Sequence, residues 1–356
     1  MSFDVVIGGG SVAGLLCARE IASKGFSVLV IEEDYEIGTP EHCGGLVSLS
    51  GLEELGVIPF RKTFDHMIES AKVSSPNGKS FTINSKKQKV VEISRRELDK
   101  QIAFQAQKNG AVIKVKTSFQ EITDTGIRTN EEKIDCKIFV DARGVSSLIH
   151  KDRTGILSSA QYEIYADWIH KGKVEVIFDQ EKYAGFFAWV IPSGEGKGKV
   201  GVAGRGIKVS ETLDNILRDI GKHSTIRKIF APIWIKGPIK KFVEGKTVII
   251  GDAAGQAISE FLKTNNSEDL EQYQKKWTER FGKEFEKQIL ARKLLERIDN
   301  NTINKLFESI TPEIIKEISE KDDFDFHTGS IIKLLGLKGS IKTAQTLIDG
   351  EIKKLL

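Results

Sequence analysis

The protein has 356 residues, of which 40% are hydrophobic and 29% are charged, a composition that excludes a disordered chain and allows two or three domains. Its 53 Lys and Arg nearly balance 50 Asp and Glu, and the net charge of +3 gives no basic field for nucleic-acid binding. Three cysteines are too few for a disulfide framework, and no apolar run is long enough to cross a bilayer. We therefore expect a cytoplasmic protein that binds no nucleic acid.

The first thirty residues predict a βαβ unit, with strand, helix and strand over residues 3–7, 15–24 and 27–31. In the turn between the first strand and the helix, Gly9, Ser11 and Gly14 form a G-x-S-x-x-G variant of the dinucleotide-binding fingerprint. Such a turn lets a pyrophosphate approach the backbone at the N-terminus of a helix. Glu32, at the end of the second strand, is placed to accept hydrogen bonds from ribose hydroxyls. Together these residues predict dinucleotide binding.

Two later predicted strands also end in clusters of Gly and Asp, which is typical of a ligand site at the carboxyl ends of strands. Residues 137–140 are followed by DARG, and residues 246–250 by GDAAG. In the second cluster, Asp252 is placed to bind the ribityl chain of a flavin, and the amides up to Gly255 to face a pyrophosphate. A second dinucleotide motif favours FAD over NAD.

Between these strands, short alternating segments predict an antiparallel sheet over residues 68–74, 80–83, 163–166, 173–178, 185–191 and 199–203. We expect a discontinuous FAD-binding domain (1–60, 90–158 and 240–266), an inserted substrate domain (61–89 and 159–239) and a C-terminal helical region (267–356). The fold class is thus α/β, a Rossmann-like FAD-binding domain with an inserted antiparallel β-sheet domain and C-terminal helices.

The motifs resemble those of flavoproteins with the para-hydroxybenzoate hydroxylase fold. Arg95 matches an arginine that precedes a helix in that group, with Arg96 a close alternative, and DARG resembles its DG motif with Arg143 in place of Asp. Within the group the chain resembles the geranylgeranyl reductase family, which includes archaeal digeranylgeranylglycerophospholipid reductases. The segment IGTPEHCGGLVS (37–48) is similar to the family's Pro-x-x-Cys-(Gly/Ala) segment, and FAWVIP (187–192) to its YxWxFP signature.

This resemblance implies an FAD-dependent reductase of lipid biosynthesis that saturates isoprenoid double bonds of a prenyl lipid or quinone. Its electron donor, NAD(P)H or ferredoxin, is left open. A flavin-dependent monooxygenase or halogenase acting on an aromatic substrate is the first alternative, because halogenases carry a comparable WxWxIP signature. The second alternative is a catalytically idle flavin- or lipid-binding protein, because the turn and most of the helix that the family carries between Gln256 and Ala257 are missing. Either the protein has lost part of its flavin seat or the sequence as printed omits that segment.

Cys43, in a Pro/Gly-rich loop beside His42, is our candidate catalytic residue, and a small packed apolar residue is the alternative interpretation. Phe187 and Trp189 alternate on one strand and are interpreted as an aromatic wall for a long apolar substrate, with simple packing as the alternative. The six histidines show no metal-ligand spacing, so no metal site is expected. The basic tail, residues 331–356, carries five Lys against two acidic residues and is interpreted as a capping helix or a peripheral membrane contact.

Overall fold

The computed structural model describes residues 2–84, 89–149, 153–249 and 254–321. The strands are β1 (Ser2–Gly8), β2 (Val28–Ile31), β3 (Leu46–Ser48), β4 (Phe64–Met67), β5 (Ser70–Ser74), β6 (Ser80–Asn84), β7 (Val90–Ile93), β8 (Val112–Lys114), β9 (Phe119–Ile122), β10 (Gly126–Thr129), β11 (Lys133–Asp141), β12 (Ile156–Tyr165), β13 (Lys173–Ile177), β14 (Ala188–Pro192), β15 (Lys197–Gly204), β16 (Ser224–Trp234), β17 (Val243–Glu244) and β18 (Thr247–Ile249). The helices are α1 (Val12–Ser23), α2 (Leu49–Glu54), α3 (Arg95–Lys108), α4 (Val145–Ile149), α5 (Val209–Ile220), α6 (Ala254–Thr264), α7 (Glu268–Leu295), α8 (Asn300–Ser309) and α9 (Pro312–Lys321). Asp252 and the basic tail lie outside the described residues.

Five parallel strands in the order β18-β11-β1-β2-β8 carry the predicted βαβ unit. They belong to an eight-stranded sheet, to which β17, β10 and β9 add antiparallel pairs. The segments VVI of β1, VLVI of β2 and IFV of β11 are continuous apolar runs because they are buried on both faces, as parallel strands are. Helices α1, α3 and α6 share one apolar core with this sheet, in which Leu15, Ile102 and Ile258 are fully buried. The α/β class with a Rossmann-like unit is confirmed. Cys136, predicted to precede a strand, lies buried within β11.

A seven-stranded sheet in the order β16-β12-β15-β14-β13-β5-β6 contains every predicted alternating segment. Its neighbours are antiparallel except for β13 and β5, which run parallel. The sequence pattern does not predict the long edge strand β16. Its exposed first half is rich in Ser, Thr, Arg and Lys, and its second half contains Pro232. Proline is tolerated on an edge strand, where one side needs no donor.

A smaller antiparallel sheet, β3-β7-β4, receives the cysteine segment as it enters β3. The C-terminal helical region predicted from residue 267 onward begins with α7. Trp277 of this helix packs against the rings of Phe242 and Phe285. Helix α6 runs without interruption across residues 256 and 257, where the family carries a further turn. Among the described helices, none is both long and apolar enough to cross a membrane.

Candidate functional site

A polar cavity of about 360 Å³ opens where the parallel strands end. It is lined by the turn after β1, by Glu32 after β2, by residues 117–119 after β8 and by Ala142 and Arg143 after β11. Gly9 and Ser11, predicted for cofactor binding, both face it. The sheet therefore brings together the residues that the fingerprint predicts, at the edge where open α/β sheets bind their ligands.

The glycines of the turn are required by the protein's own packing. A Cβ on Gly9 would lie 2.6 Å from the carbonyl oxygen of Ala142, and Gly9 has a positive φ of 111°. A Cβ on Gly14 would lie 2.1 Å from the carbonyl oxygen of Gly9. Gly14 thus permits close packing of α1 on β1, so a larger side chain there disrupts the fold before it meets a pyrophosphate.

Glu32 holds the turn itself. Its Oε2 accepts a hydrogen bond from the amide of Gly10 at 2.7 Å, and its Oε1 from the amide of Asp34 at 3.0 Å. A carboxylate has about four acceptor positions, so each oxygen keeps capacity for a further donor. Arg143, where the family often has Asp, is held by Asp141 through two hydrogen bonds of 3.0 and 2.8 Å and lies over the Phe119 ring.

Arg95, predicted for cofactor binding, is not among the residues that line the polar cavity, but it contacts Asp99, which is. Its guanidinium faces Asp99 at 3.6 Å, longer than a hydrogen bond, and also interacts with the Cys43 side chain. Burial raises the pKa of Asp99 to about 6, although Arg95 acts against this rise. Within the described part of the chain, Arg95 Nε and Asp99 Oδ1 are buried and make no hydrogen bond. The side chain of Arg96, the alternative, instead donates to Glu36 on the exterior.

A second, apolar cavity of about 840 Å³ lies between the seven-stranded sheet and the C-terminal helices. Strands β5, β6, β13, β14 and β16 supply one wall, and the end of α7 with α8 and α9 supplies the other. Its volume is at the upper end of the roughly 300–1,000 Å³ of typical ligand pockets. Its lining is apolar apart from a few groups around the cysteine loop, such as Ser159, Gln161 and His42.

Phe187 and Trp189 both face this apolar cavity. Phe187 stacks on Phe186 at 4.3 Å between ring centroids and meets Trp189 edge-on at 6.2 Å. Trp189 Nε1 donates to Gln161 Oε1 at 3.0 Å, and Gln161 Nε2 donates to the Cys43 carbonyl at 3.5 Å. The aromatic wall is thus tied to the cysteine loop through one buried amide side chain.

The two cavities meet at the cysteine loop. His42 lines both the polar and the apolar cavity, and Cys43, the next residue, lines the apolar cavity. The Cys43 Sγ accepts a weak hydrogen bond from the Gly45 amide at 3.4 Å. The loop therefore borders both cavities.

Buried charges behind the loop hold it in place. Lys199, with a side chain only 5% exposed, lies 3.1 Å from Glu41, 3.3 Å from Glu92 and 3.4 Å from the Gly44 carbonyl. Burial raises the pKa of Glu92 to about 8, although Lys199 lowers it. Sequence reasoning missed this group because a lysine in a strand gives no sign of burial. An acidic residue in the apolar run VVEI of β7 was the signal available.

The structure also clusters residues that sequence spacing did not connect. Asp65, His66 and Glu92 come together across β4 and β7, although the histidine pattern predicted no metal site. Gly255 lies in the first turn of α6, beside the undescribed Asp252. Gln161 and the helices α8 and α9 were also missed, since only tertiary packing brings them to the cavity.

This fold is shared with flavin-dependent enzymes. A solved geranylgeranyl bacteriochlorophyll reductase-like protein from Thermoplasma acidophilum superposes with a TM-score of 0.85 at 20% identity, covering 100% of this chain and 99% of that one. A flavin-dependent brominase superposes with a TM-score of 0.66 at 15% identity, covering 100% of this chain and 99% of its own.

Comparison with curated protein sequences finds more specific relatives than the shared fold does. A digeranylgeranylglycerophospholipid reductase from Methanopyrus kandleri is 26% identical, with 91% of this chain and 94% of the relative covered. An uncharacterized protein from Methanocaldococcus jannaschii is 28% identical, with 94% and 95% covered. No family model matches the chain. The predicted resemblance to the geranylgeranyl reductase family is confirmed by the named sequence relative, and the solved structure shows the shared fold.

Proposed function

We propose that the protein is an FAD-dependent reductase that saturates isoprenoid double bonds of a prenyl lipid. The observation that carries the proposal is that a polar cavity at the strand ends and a large apolar cavity lie on either side of one loop, where His42 lines both and Cys43 lines the apolar one. A dinucleotide and a long apolar chain need sites of these two kinds, and the reaction needs them to touch. The names of the relatives agree with this pairing.

The residues of the polar cavity fit an FAD. The Ser11 hydroxyl makes no capping hydrogen bond to α1 within the described chain, so it does not occupy the N-terminus of this helix, where a phosphate would bind. Arg95 Nε and Asp99 Oδ1 are buried and make no hydrogen bond within the described chain, and such groups are rarely left so. By resemblance, Asp252 and Gly255 complete the seat alongside Gly9 and Glu32.

When bound and reduced, the flavin supplies the hydride, and the protein's own task is orientation and exclusion of water. Saturating one isolated double bond consumes one hydride and one proton. The faces of Phe187 and Trp189 stabilise positive charge on the alkene carbon as the proton adds. Cys43, next to the Arg95 guanidinium and exposed to the apolar cavity, positions or protonates the alkene.

The test is product analysis after anaerobic incubation of dithionite-reduced, FAD-loaded protein with a geranylgeranylated glycerophospholipid. Mass spectrometry is expected to show the addition of two hydrogens per double bond. Phe187→Leu is expected to lower the rate at least about tenfold, because it keeps an apolar side chain but loses the ring face. Phe104→Leu, at a side chain 58% exposed on α3, is the matched control and leaves the rate unchanged.

A flavin-dependent monooxygenase or halogenase would give no product without oxygen and would instead turn over an aromatic substrate with oxygen and NAD(P)H. An idle binding protein would bind flavin or lipid and give no product under either condition. Either outcome would overturn the proposed function.

A further inference from the structure

Three ligand-type side chains converge behind the cysteine loop. Oxygen atoms of Asp65 and Glu92 and a ring nitrogen of His66 all lie within 4.8 Å of one another. His66 and Glu92 are direct partners across β4 and β7, so their side chains leave the small sheet on the same face. None of the three lines the polar or the apolar cavity described above.

A distortion of β4 adds the third side chain. In a regular strand Asp65 and His66 would point to opposite faces, because side chains alternate. The register between β4 and β7 shifts between Phe64 and His66, which is the signature of a β-bulge at Asp65. Bulges re-aim side chains and are frequent beside functional sites. The backbone is thus shaped so that two consecutive residues reach one point.

Two of the three converging side chains, His66 and Glu92, carry buried atoms that make no hydrogen bond within the described residues. His66 is only 3% exposed, and neither of its ring nitrogens makes a hydrogen bond. Glu92 is 1% exposed, and its Oε2 also has none, because Lys199 and Ser193 both contact Oε1. A buried polar group left unsatisfied is costly, so one imidazole nitrogen of His66 and Glu92 Oε2, both without a hydrogen bond at the point of convergence, indicate a missing ligand.

We propose that Asp65, His66 and Glu92 bind a divalent transition-metal ion, with Zn²⁺ as the best match. One imidazole nitrogen and two carboxylates are an accepted Zn²⁺ donor set, and the two negative charges balance the ion. Exposed Asp65 gives the ion a route from solvent and leaves room for water as a fourth ligand. The neighbouring ammonium group of Lys199 contacts Glu92 Oε1, not the Oε2 atom assigned to the ion, so it does not occupy the ion's position.

The ion would be structural. A Cβ on Gly45 would lie 2.9 Å from Glu92 Oε1, so the site lies directly behind the loop that carries His42 and Cys43. Binding there ties β4 to β7 and fixes the loop from behind, without touching either cavity.

The experiment uses the full chain, stripped with EDTA, then incubated with ZnCl₂ and passed through a desalting column. We expect about one Zn²⁺ per chain by elemental analysis and a rise in melting temperature on adding Zn²⁺. His66→Gln and Asp65→Asn are expected to lose the ion and the rise. The affinity of these variants for Zn²⁺ should fall by more than roughly 10–100-fold, which is the usual loss when a residue that only supports a metal ligand is replaced. His170→Gln, at an exposed histidine beside Glu195, is the matched control and retains both.

Asp65→Asn keeps the test valid if His66→Gln fails to fold, because Asp65 is exposed. Unsubstituted protein that retains no Zn²⁺ would overturn the proposal. Zn²⁺ that stays bound to Asp65→Asn and His66→Gln would also overturn it, since the ion would then be held elsewhere. Neither result depends on flavin binding or on reductase activity, so this proposal and the proposed function fail separately.

Discussion

Replacing Lys199 with Met tests whether buried charges hold the cysteine loop. The change keeps a long apolar stem but removes the ammonium group that donates to Glu41 and Glu92. This group is shielded from water, since the side chain is only 5% exposed. Removing one partner of a buried ion pair costs about 3–5 kcal/mol, because the remaining charge is left uncompensated. Glu41 keeps Arg227 at 3.7 Å, so we expect the lower end, about 3 kcal/mol.

Lys197→Met is the matched control on the same strand. Lys197 pairs with Glu163 at 2.9 Å, but its side chain is 36% exposed, and such a pair contributes about 0–1 kcal/mol. Urea unfolding of both variants in EDTA, followed by tryptophan fluorescence, gives the two losses in the free energy of unfolding. We also expect Lys199→Met to lower turnover, because the Gly44 carbonyl loses its donor. Equal losses in the two variants would refute the assignment of Lys199 as a buried anchor.

Three further predictions concern the cofactor and the reacting loop. The Cys43→Ser protein is expected to bind FAD and to melt at the same temperature as the unsubstituted protein, but to reduce the lipid at least about tenfold more slowly. A lower melting temperature with unchanged turnover would instead indicate that Cys43 has a packing role. Burial raises the pKa of Asp99 from 3.8 to about 6, so the stability it contributes is lost as the pH rises through about 6. Between about pH 4 and pH 7, flavin-free wild-type protein should therefore lose about 2–3 kcal/mol of unfolding free energy relative to Asp99→Asn, and a constant difference would contradict this. Asp252→Ala is expected to weaken FAD binding more than Asp141→Ala, because the Asp141 carboxylate is already engaged by Arg143. The measurement is the amount of flavin that each variant retains on gel filtration. Equal retention would count against the assigned role of Asp252.

The sequence was informative wherever function depends on local backbone geometry. The turn at Gly9, the acid at Glu32 and the strands that end beside the ligand could be predicted because a βαβ unit needs them at fixed spacing. The physical role of Gly14 could not, because its closest neighbour is the carbonyl of Gly9 in the folded turn.

The remaining features depend on distant strands meeting. Lys199 and Glu92 belong to different sheets and are brought together only by tertiary packing. The cluster at Asp65 and His66 further depends on a bulge, which no hydrophobic periodicity reveals. The apolar cavity could be inferred from Phe187 and Trp189 on one side, whereas its other wall arises from how α8 and α9 pack.

The central claim is that a flavin and a prenyl chain meet at His42 and Cys43, and reoxidation of the bound flavin tests it most directly. The FAD-loaded protein is reduced with one equivalent of dithionite under strict anaerobiosis, and its absorption is followed after adding a geranylgeranylated lipid. The account predicts that the oxidised flavin spectrum returns with this lipid and does not return with the fully saturated lipid of the same headgroup. Flavin that stays reduced with both lipids, or that reoxidises equally with both, would contradict the account.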